Sequence, residues 1–234
     1  MKVIYFVGFI CFIFSCQNHQ VNEIPQSSSD SLNFETTLNE YPFSEEIKRY
    51  QKEDKLKFPP QNCILFIGSS TIRIWKSLSS DLDGLNVVNR GFGGAKTEHI
   101  LYYTPYIVLP YKPSKIVFYC GDNDIASGVP IPVILNNYSA FIKMIHDTLP
   151  QTKIYFISNK PILKRPQDIK KLKSVNESLK RLCNRFSFVT YIDVCSKMIQ
   201  HDSIIISEYY RKDSIHLNRK GYELWGKIIR EKIK

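Results

Sequence analysis

The sequence has 234 residues, of which 43% are hydrophobic and 23% are charged, and its formal net charge is +10. This composition is ordinary for a globular protein, and the length suits one sizeable domain that can bury a core without disulfides or metal. Because the basic residues are spread along the chain and no aromatic-basic motif accompanies them, we expect solvated helix faces and no nucleic-acid partner.

The first 16 residues have the pattern of an export signal. A basic start precedes an apolar run from Val3 to Phe14, which is too short for a standard spanning helix, and a small residue follows at Ser15. The segment Ile13–Cys16 resembles a bacterial lipobox, which implies that Cys16 is lipidated and anchors an exported protein to a membrane of the cell envelope. A plain signal peptide or a short anchor helix is the alternative, since Phe14 is bulkier than the usual residue.

Residues 17–41 are rich in Ser, Asn, Gln and Glu, which predicts a flexible tether. We therefore place the folded domain at 42–234. A helix over Ser44–Phe58, stopped by Pro59-Pro60, is expected to lead it.

Short apolar runs alternate with stretches of helical period through the rest of the chain. This alternation predicts an α/β fold, a three-layer α/β/α sandwich around a parallel sheet of about five strands. The five runs are Cys63–Ile67, Val87-Val88, Ile116–Cys120, Ile154–Ser158 and Val189–Val194. Apolar residues recur every three or four positions over 134–149 and 169–186, and a last helix starts at Leu217 or Asn218.

Four cysteines fall within the predicted domain. Their spacing matches no zinc motif, so we interpret them as small buried side chains, although export leaves a disulfide open. They are Cys63, Cys120, Cys183 and Cys195.

Ligands of such sheets bind at the carboxyl ends of the strands, and polar loops follow three of the predicted strands. Gly68-Ser69-Ser70-Thr71 follows the first, and a serine there exposes its hydroxyl at a helix start. A helix cap is the common alternative for this serine. The loops after the second and third strands are Gly91-Phe92-Gly93-Gly94 and Gly121-Asp122-Asn123-Asp124. Tight turns explain either loop equally well alone, and paired Asp122 and Asp124 are a weak signal for a cation.

A fourth motif, Asp213-Ser214-Ile215-His216, precedes the last helix. Its spacing lets the carboxylate hold the imidazole while the other ring nitrogen faces a serine. A surface Asp and His near a helix start is the alternative.

Together, in this order, the four motifs resemble those of the SGNH hydrolases, also called GDSL esterases and lipases. The resemblance implies a nucleophile at Ser70, a general base at His216 and an orienting carboxylate at Asp213. It implies an oxyanion hole formed by the N–H groups of Ser70 and Gly94 and the side-chain amide of Asn123, without cofactor or metal.

Two positions depart from the family pattern. Ser69 stands where the family has Asp, which puts the setting of the nucleophile loop in doubt. Lys96 follows the glycine loop, where it either favours an anionic substrate or is solvated.

The resemblance therefore predicts a serine esterase acting through an acyl-enzyme on a glycan O-acetyl or a lipid ester of the envelope. A non-catalytic binding lipoprotein on the same fold and an acyltransferase are the alternatives.

Overall fold

The computed structural model describes residues 41–201 and 203–234. They form a five-stranded sheet in the order β2-β1-β3-β4-β5, in which every pair is parallel. Its strands are β1 (Ile64–Gly68), β2 (Val87–Gly91), β3 (Lys115–Tyr119), β4 (Lys153–Ile157) and β5 (Val189–Ile192). The helices are α1 (Ser44–Leu56), α2 (Ser70–Arg73), α3 (Leu78–Asp81), α4 (Thr97–Ile107), α5 (Asp122–Ala126), α6 (Ile131–Thr148), α7 (Ile169–Cys183) and α8 (Arg219–Ile233).

Alternate residues of each strand point to opposite sides of the sheet, so both faces carry side chains. Helices cover both faces. On one face, Tyr119 of β3 packs edge-on against Trp225 of α8, with ring centroids 4.9 Å apart. On the other face, Phe118 packs against Phe141 of α6 at 4.9 Å. Near-continuous burial of the strands follows from this double cover.

The predicted α/β/α sandwich with five parallel strands is confirmed, and each apolar run overlaps one strand, although most of the bounds differ by one or more residues. Asn218 starts the last helix as its N-cap, since its side chain accepts from the N–H of Gly221 at 3.1 Å. The sequence did not predict a two-residue antiparallel pair, β6 (Ile199–Gln200) with β7 (Ile204–Ile205).

The export signal, Cys16 and all but the last residue of the predicted tether lie outside the described residues. That last residue, Tyr41, stacks on Tyr102 of α4 with ring centroids 3.7 Å apart. Within the part of the chain that the structure describes, no helix is both long and apolar enough to cross a membrane.

The leading helix α1 lies against the end of strand β2. The Tyr50 hydroxyl donates to the carbonyl oxygen of Gly91. Arg90 forms an ion pair with Asp54, and both side chains are about nine-tenths buried. The glycine loop that follows β2 is therefore held from its outer side by a helix of the same chain.

Candidate active site

Ser70 is the first residue of α2, immediately beyond strand β1. The turn before it passes through Gly68 at φ +144°, where a Cβ would lie only 1.8 Å from the carbonyl oxygen of Tyr119. Only glycine fits so close to the neighbouring strand. Ser70 is the first residue inside the helix and Ser69 is its N-cap residue, whose side chain makes no capping hydrogen bond, so the helix-cap alternative describes neither serine. The Ser70 hydroxyl instead lies 3.0 Å from Nε2 of His216.

The turn before α8 brings Asp213 back onto His216. Oδ2 of Asp213 lies 2.8 Å from Nδ1 of the ring. Oδ1 accepts the backbone N–H groups of Ile215 and His216, each at 2.9 Å. The turn is closed by Ser214, which adopts φ +58°. One carboxylate therefore fixes both the backbone of the turn and the orientation of the imidazole.

The carboxyl of Asp213 is strongly acidic in this turn. Partial burial opposes ionisation, but the hydrogen bonds from the two backbone N–H groups and from the His216 ring outweigh it and lower the pKa of Asp213 to about 2. Asp213 is thus an anion at neutral pH and favours the N–H tautomer of the ring on its own side.

The loops after β2 and β3 begin at the same edge of the sheet as the loop that carries Ser70. Gly68 is in register with Gly91 on one side and Tyr119 on the other, so the three strands end at one level. Gly94 has φ +77° and is exposed. The Asn123 side-chain amide donates to the carbonyl oxygen of Ala95 at 2.9 Å, which joins the two loops.

The acidic pair in the third loop is divided between two roles. Asp124 accepts from the Thr97 hydroxyl at 2.6 Å and from its N–H, and so holds the start of α4. Asp122 forms an ion pair with buried Lys160 at 3.3 Å. Because their carboxylates are turned to separate protein partners, the two aspartates do not form the cation site that the sequence weakly suggested. Across the described ranges, no cluster of three or more His, Cys, Asp or Glu side chains is arranged to hold a metal ion.

The polar residues near the nucleophile mostly have protein partners. Lys96 lies 3.3 Å from Glu98 and is about one-third exposed. Arg73 forms an ion pair with Glu46 of α1 at 2.6 Å. The Trp75 indole N–H donates to Asp81 at 2.7 Å within the core.

The four cysteines of the domain are buried and unbridged.

Lys160 and its neighbours were not found from the sequence. Ser158-Asn159-Lys160 follows β4, the one inner strand whose end carries none of the four motifs. Asn159 is held from both sides of its peptide by Asn176 of α7, at 2.8 and 2.9 Å. The signal was available, because a polar segment after a central parallel strand falls at the ligand edge of the sheet.

Taken together, the fold and the site define an α/β/α protein with a Ser-His-Asp arrangement at the carboxyl edge of its sheet. A model of the GDSL-like Lipase/Acylhydrolase family matches residues 68–224, and the chain belongs to that family.

Solved structures share the fold at low sequence identity. A protein from Streptococcus pneumonia, provisionally described as a platelet activating factor, is 24% identical with a TM-score of 0.74, over 89% of this chain and 100% of that one. A GDSL-like lipase from Bacteroides thetaiotaomicron is 18% identical with a TM-score of 0.70, over 80% and 96%. A variant of an acetylxylan esterase from Geobacillus stearothermophilus is 14% identical with a TM-score of 0.60, over 76% and 96%. A comparison with curated proteins gave no match.

Proposed function

We propose that the protein is a serine esterase that hydrolyses carboxylic esters through an acyl-enzyme. The observation that carries this proposal is the continuous chain from Ser70 Oγ to His216 Nε2, at 3.0 Å, and from His216 Nδ1 to Asp213 Oδ2, at 2.8 Å. A hydroxyl, an imidazole and a carboxylate in this order are the parts that nucleophilic acyl transfer needs.

The first half-reaction begins at the Ser70 hydroxyl. His216 takes its proton at Nε2 while Oγ bonds to the ester carbonyl carbon, and the carbonyl oxygen becomes an oxyanion. Asp213 stabilises the imidazolium that forms. When the carbon–alkoxide bond breaks, His216 gives the proton to the departing alcohol, and the acyl group remains on Ser70.

The second half-reaction repeats this chemistry with water. His216 removes a proton from water, the resulting hydroxide attacks the acyl carbon, and the proton returns to Ser70 Oγ as the carboxylic acid leaves. The N–H groups of Ser70 and Gly94 and the Asn123 amide are the proposed donors to both oxyanions. Losing one such donor costs about two to three orders of magnitude in rate.

Acylated glycans and envelope lipids are the proposed substrates, with a preference for carbohydrate O-acetyl groups. Structural relatives that include two acetylxylan esterases support this preference at the level of fold. Lipidation at Cys16 would place the enzyme at the envelope, where such esters occur. Incorporation of labelled palmitate in a bacterial host, compared with Cys16→Ser, tests the anchor; equal labelling of both proteins would contradict it.

Hydrolysis of p-nitrophenyl acetate by purified residues 17–234 tests the activity, with Ser70→Ala as the matched variant. We expect p-nitrophenol release from the first protein and only background from the second. Equal rates would refute the esterase and favour a non-catalytic binding protein on this fold. Consumption of the ester that accelerates with added sugar, with acyl sugar as product, would identify an acyltransferase.

A further inference from the structure

A lysine is completely buried beside the proposed active site. Lys160 is 0% exposed, and its ammonium lies 3.3 Å from Oδ2 of Asp122, which is 5% exposed. The other oxygen of Asp122 lies 3.5 Å from the Ser69 hydroxyl, at the outer limit of a hydrogen bond. The ring centroid of Tyr119 is 5.9 Å from the ammonium.

Burying such an ion pair is unfavourable for the stability of a core. The free energy needed to remove two charges from water often exceeds the attraction between them, and apolar residues of similar size often stabilise a protein better. Burial lowers the pKa of Lys160, which the charge of Asp122 opposes. A buried pair kept at the edge of the sheet where ligands bind therefore suggests a role in function.

The position of Asp122 relates two parts of the proposed machinery. It precedes Asn123, the amide donor, and its carboxylate faces Ser69, the residue before the nucleophile. Lys160 meets Asp122 from a third strand end. Two hydrogen bonds between Asn176 and the backbone of Asn159 hold the chain next to Lys160.

We propose that Asp122 and Lys160 are positioning residues, which fix the position of the nucleophile loop relative to the loop that carries Asn123. Asp122 brings a carboxylate from the third loop to the hydroxyl of Ser69 in the nucleophile loop. This inference rests on the proposed esterase function. It predicts that removing either charge lowers the rate of ester hydrolysis by more than the accompanying loss of stability explains.

The test compares Asp122→Asn and Lys160→Met with wild type. Both variants keep the size of the side chain and remove one charge. Steady-state hydrolysis of p-nitrophenyl acetate gives kcat and KM, thermal unfolding gives Tm, and the rate of labelling by a fluorophosphonate reports the reactivity of Ser70 separately from turnover. We expect kcat to fall about tenfold to a hundredfold, because small displacements of reacting groups have effects of this size, while KM changes little.

Asp81→Asn is the matched control. Asp81 is a buried carboxylate paired with Arg219 at 2.6 Å, and its described partners do not include the triad. It is expected to lower Tm without changing kcat. In Lys160→Met/Asp122→Asn neither charge is left unpaired, so the loss in kcat should be smaller than the product of the two single losses.

Unchanged kcat and labelling in the folded charge variants would overturn the inference and leave the esterase proposal standing. An equal fall in kcat for Asp81→Asn would overturn it too, since the effect would then be general destabilisation. If neither charge variant folds, Ser69→Ala decides: a fall in kcat without a fall in Tm supports the inference, and no change overturns it. A wild-type protein inert to both reagents would refute the esterase function, and this inference with it.

Discussion

Asn123 donates its side-chain amide to the carbonyl oxygen of Ala95 at 2.9 Å, across the gap between the loops that follow β3 and β2. The amide nitrogen carries two hydrogens, and this bond uses one of them. The group is therefore oriented before any substrate binds, and none of the described residues accepts its second hydrogen. Donors fixed in advance stabilise a developing oxyanion without reorganisation during the reaction.

Asn123→Ala is accordingly expected to lower kcat for p-nitrophenyl acetate by about two to three orders of magnitude, with a smaller change in KM. The exposed Asn184→Ala, just beyond α7, should leave both constants unchanged. A variant at Asn123 with wild-type kcat would remove this amide from the oxyanion hole.

Gly94→Ala should reduce both stability and activity. At φ +77° an alanine costs about 1–2 kcal/mol, and a backbone shift that relieves this strain displaces the N–H of residue 94, a proposed oxyanion donor. Gly84→Ala is the matched control, because Gly84 has φ +71° and nothing within 4 Å of the added carbon. Urea unfolding should show similar losses for the two variants, whereas only Gly94→Ala should lose kcat beyond its folded fraction. Equal kcat would contradict the expectation that the left-handed backbone at Gly94 positions an oxyanion donor.

Asp213 predicts a pH dependence of stability. Its pKa is lowered from 3.8 to about 2, so the ionised carboxyl stabilises the folded state above pH 4. That contribution is lost as the pH falls through 2. Asp213→Asn should therefore be less stable than wild type at pH 4 to 5, and the difference should shrink on acidification to pH 2. A difference in Tm that stays constant down to pH 2 would contradict the lowered pKa.

Tyr50 tests the support that helix α1 gives to the end of β2. Tyr50→Phe removes the only hydroxyl that the described residues donate to the Gly91 carbonyl oxygen. An unsatisfied buried acceptor costs about 1–3 kcal/mol, which urea unfolding would detect. Tyr102→Phe provides the comparison, because the Tyr102 hydroxyl makes no hydrogen bond with the described residues; this variant should unfold like wild type. Matching midpoints for the two variants would mean that α1 does not depend on this contact.

The sequence predicted the sheet well because each strand is a short apolar run that ends at a polar or glycine-containing loop. Ile64–Gly68 and Lys115–Tyr119 are buried on both faces, and such strands are visible without any knowledge of their partners. The site could be assembled from the sequence for a related reason. Parallel strands bring their carboxyl ends to one edge, so motifs far apart in the chain were expected to meet.

The sequence could not predict contacts that depend on depth and orientation. Nothing in the sequence distinguishes Lys160 from other basic residues. Only the packing of the segment after β4 against the third loop shows that Lys160 is buried and paired with Asp122. Likewise, Asp122 and Asp124 look like a pair in sequence, but residues two positions apart on the short helix α5 point in different directions. The proposed roles of Ser70, Asp213 and His216 remain predictions for experiment.

The most direct test of Ser70 as the nucleophile is to find which residue reacts with a fluorophosphonate. Residues 17–234 are labelled, and their peptides are analysed by mass spectrometry. We predict one adduct, on Ser70, that forms more slowly in His216→Ala and is absent from Ser70→Ala. An adduct on another residue, or no adduct in the folded wild-type protein, would contradict the claim that Ser70 is an activated nucleophile.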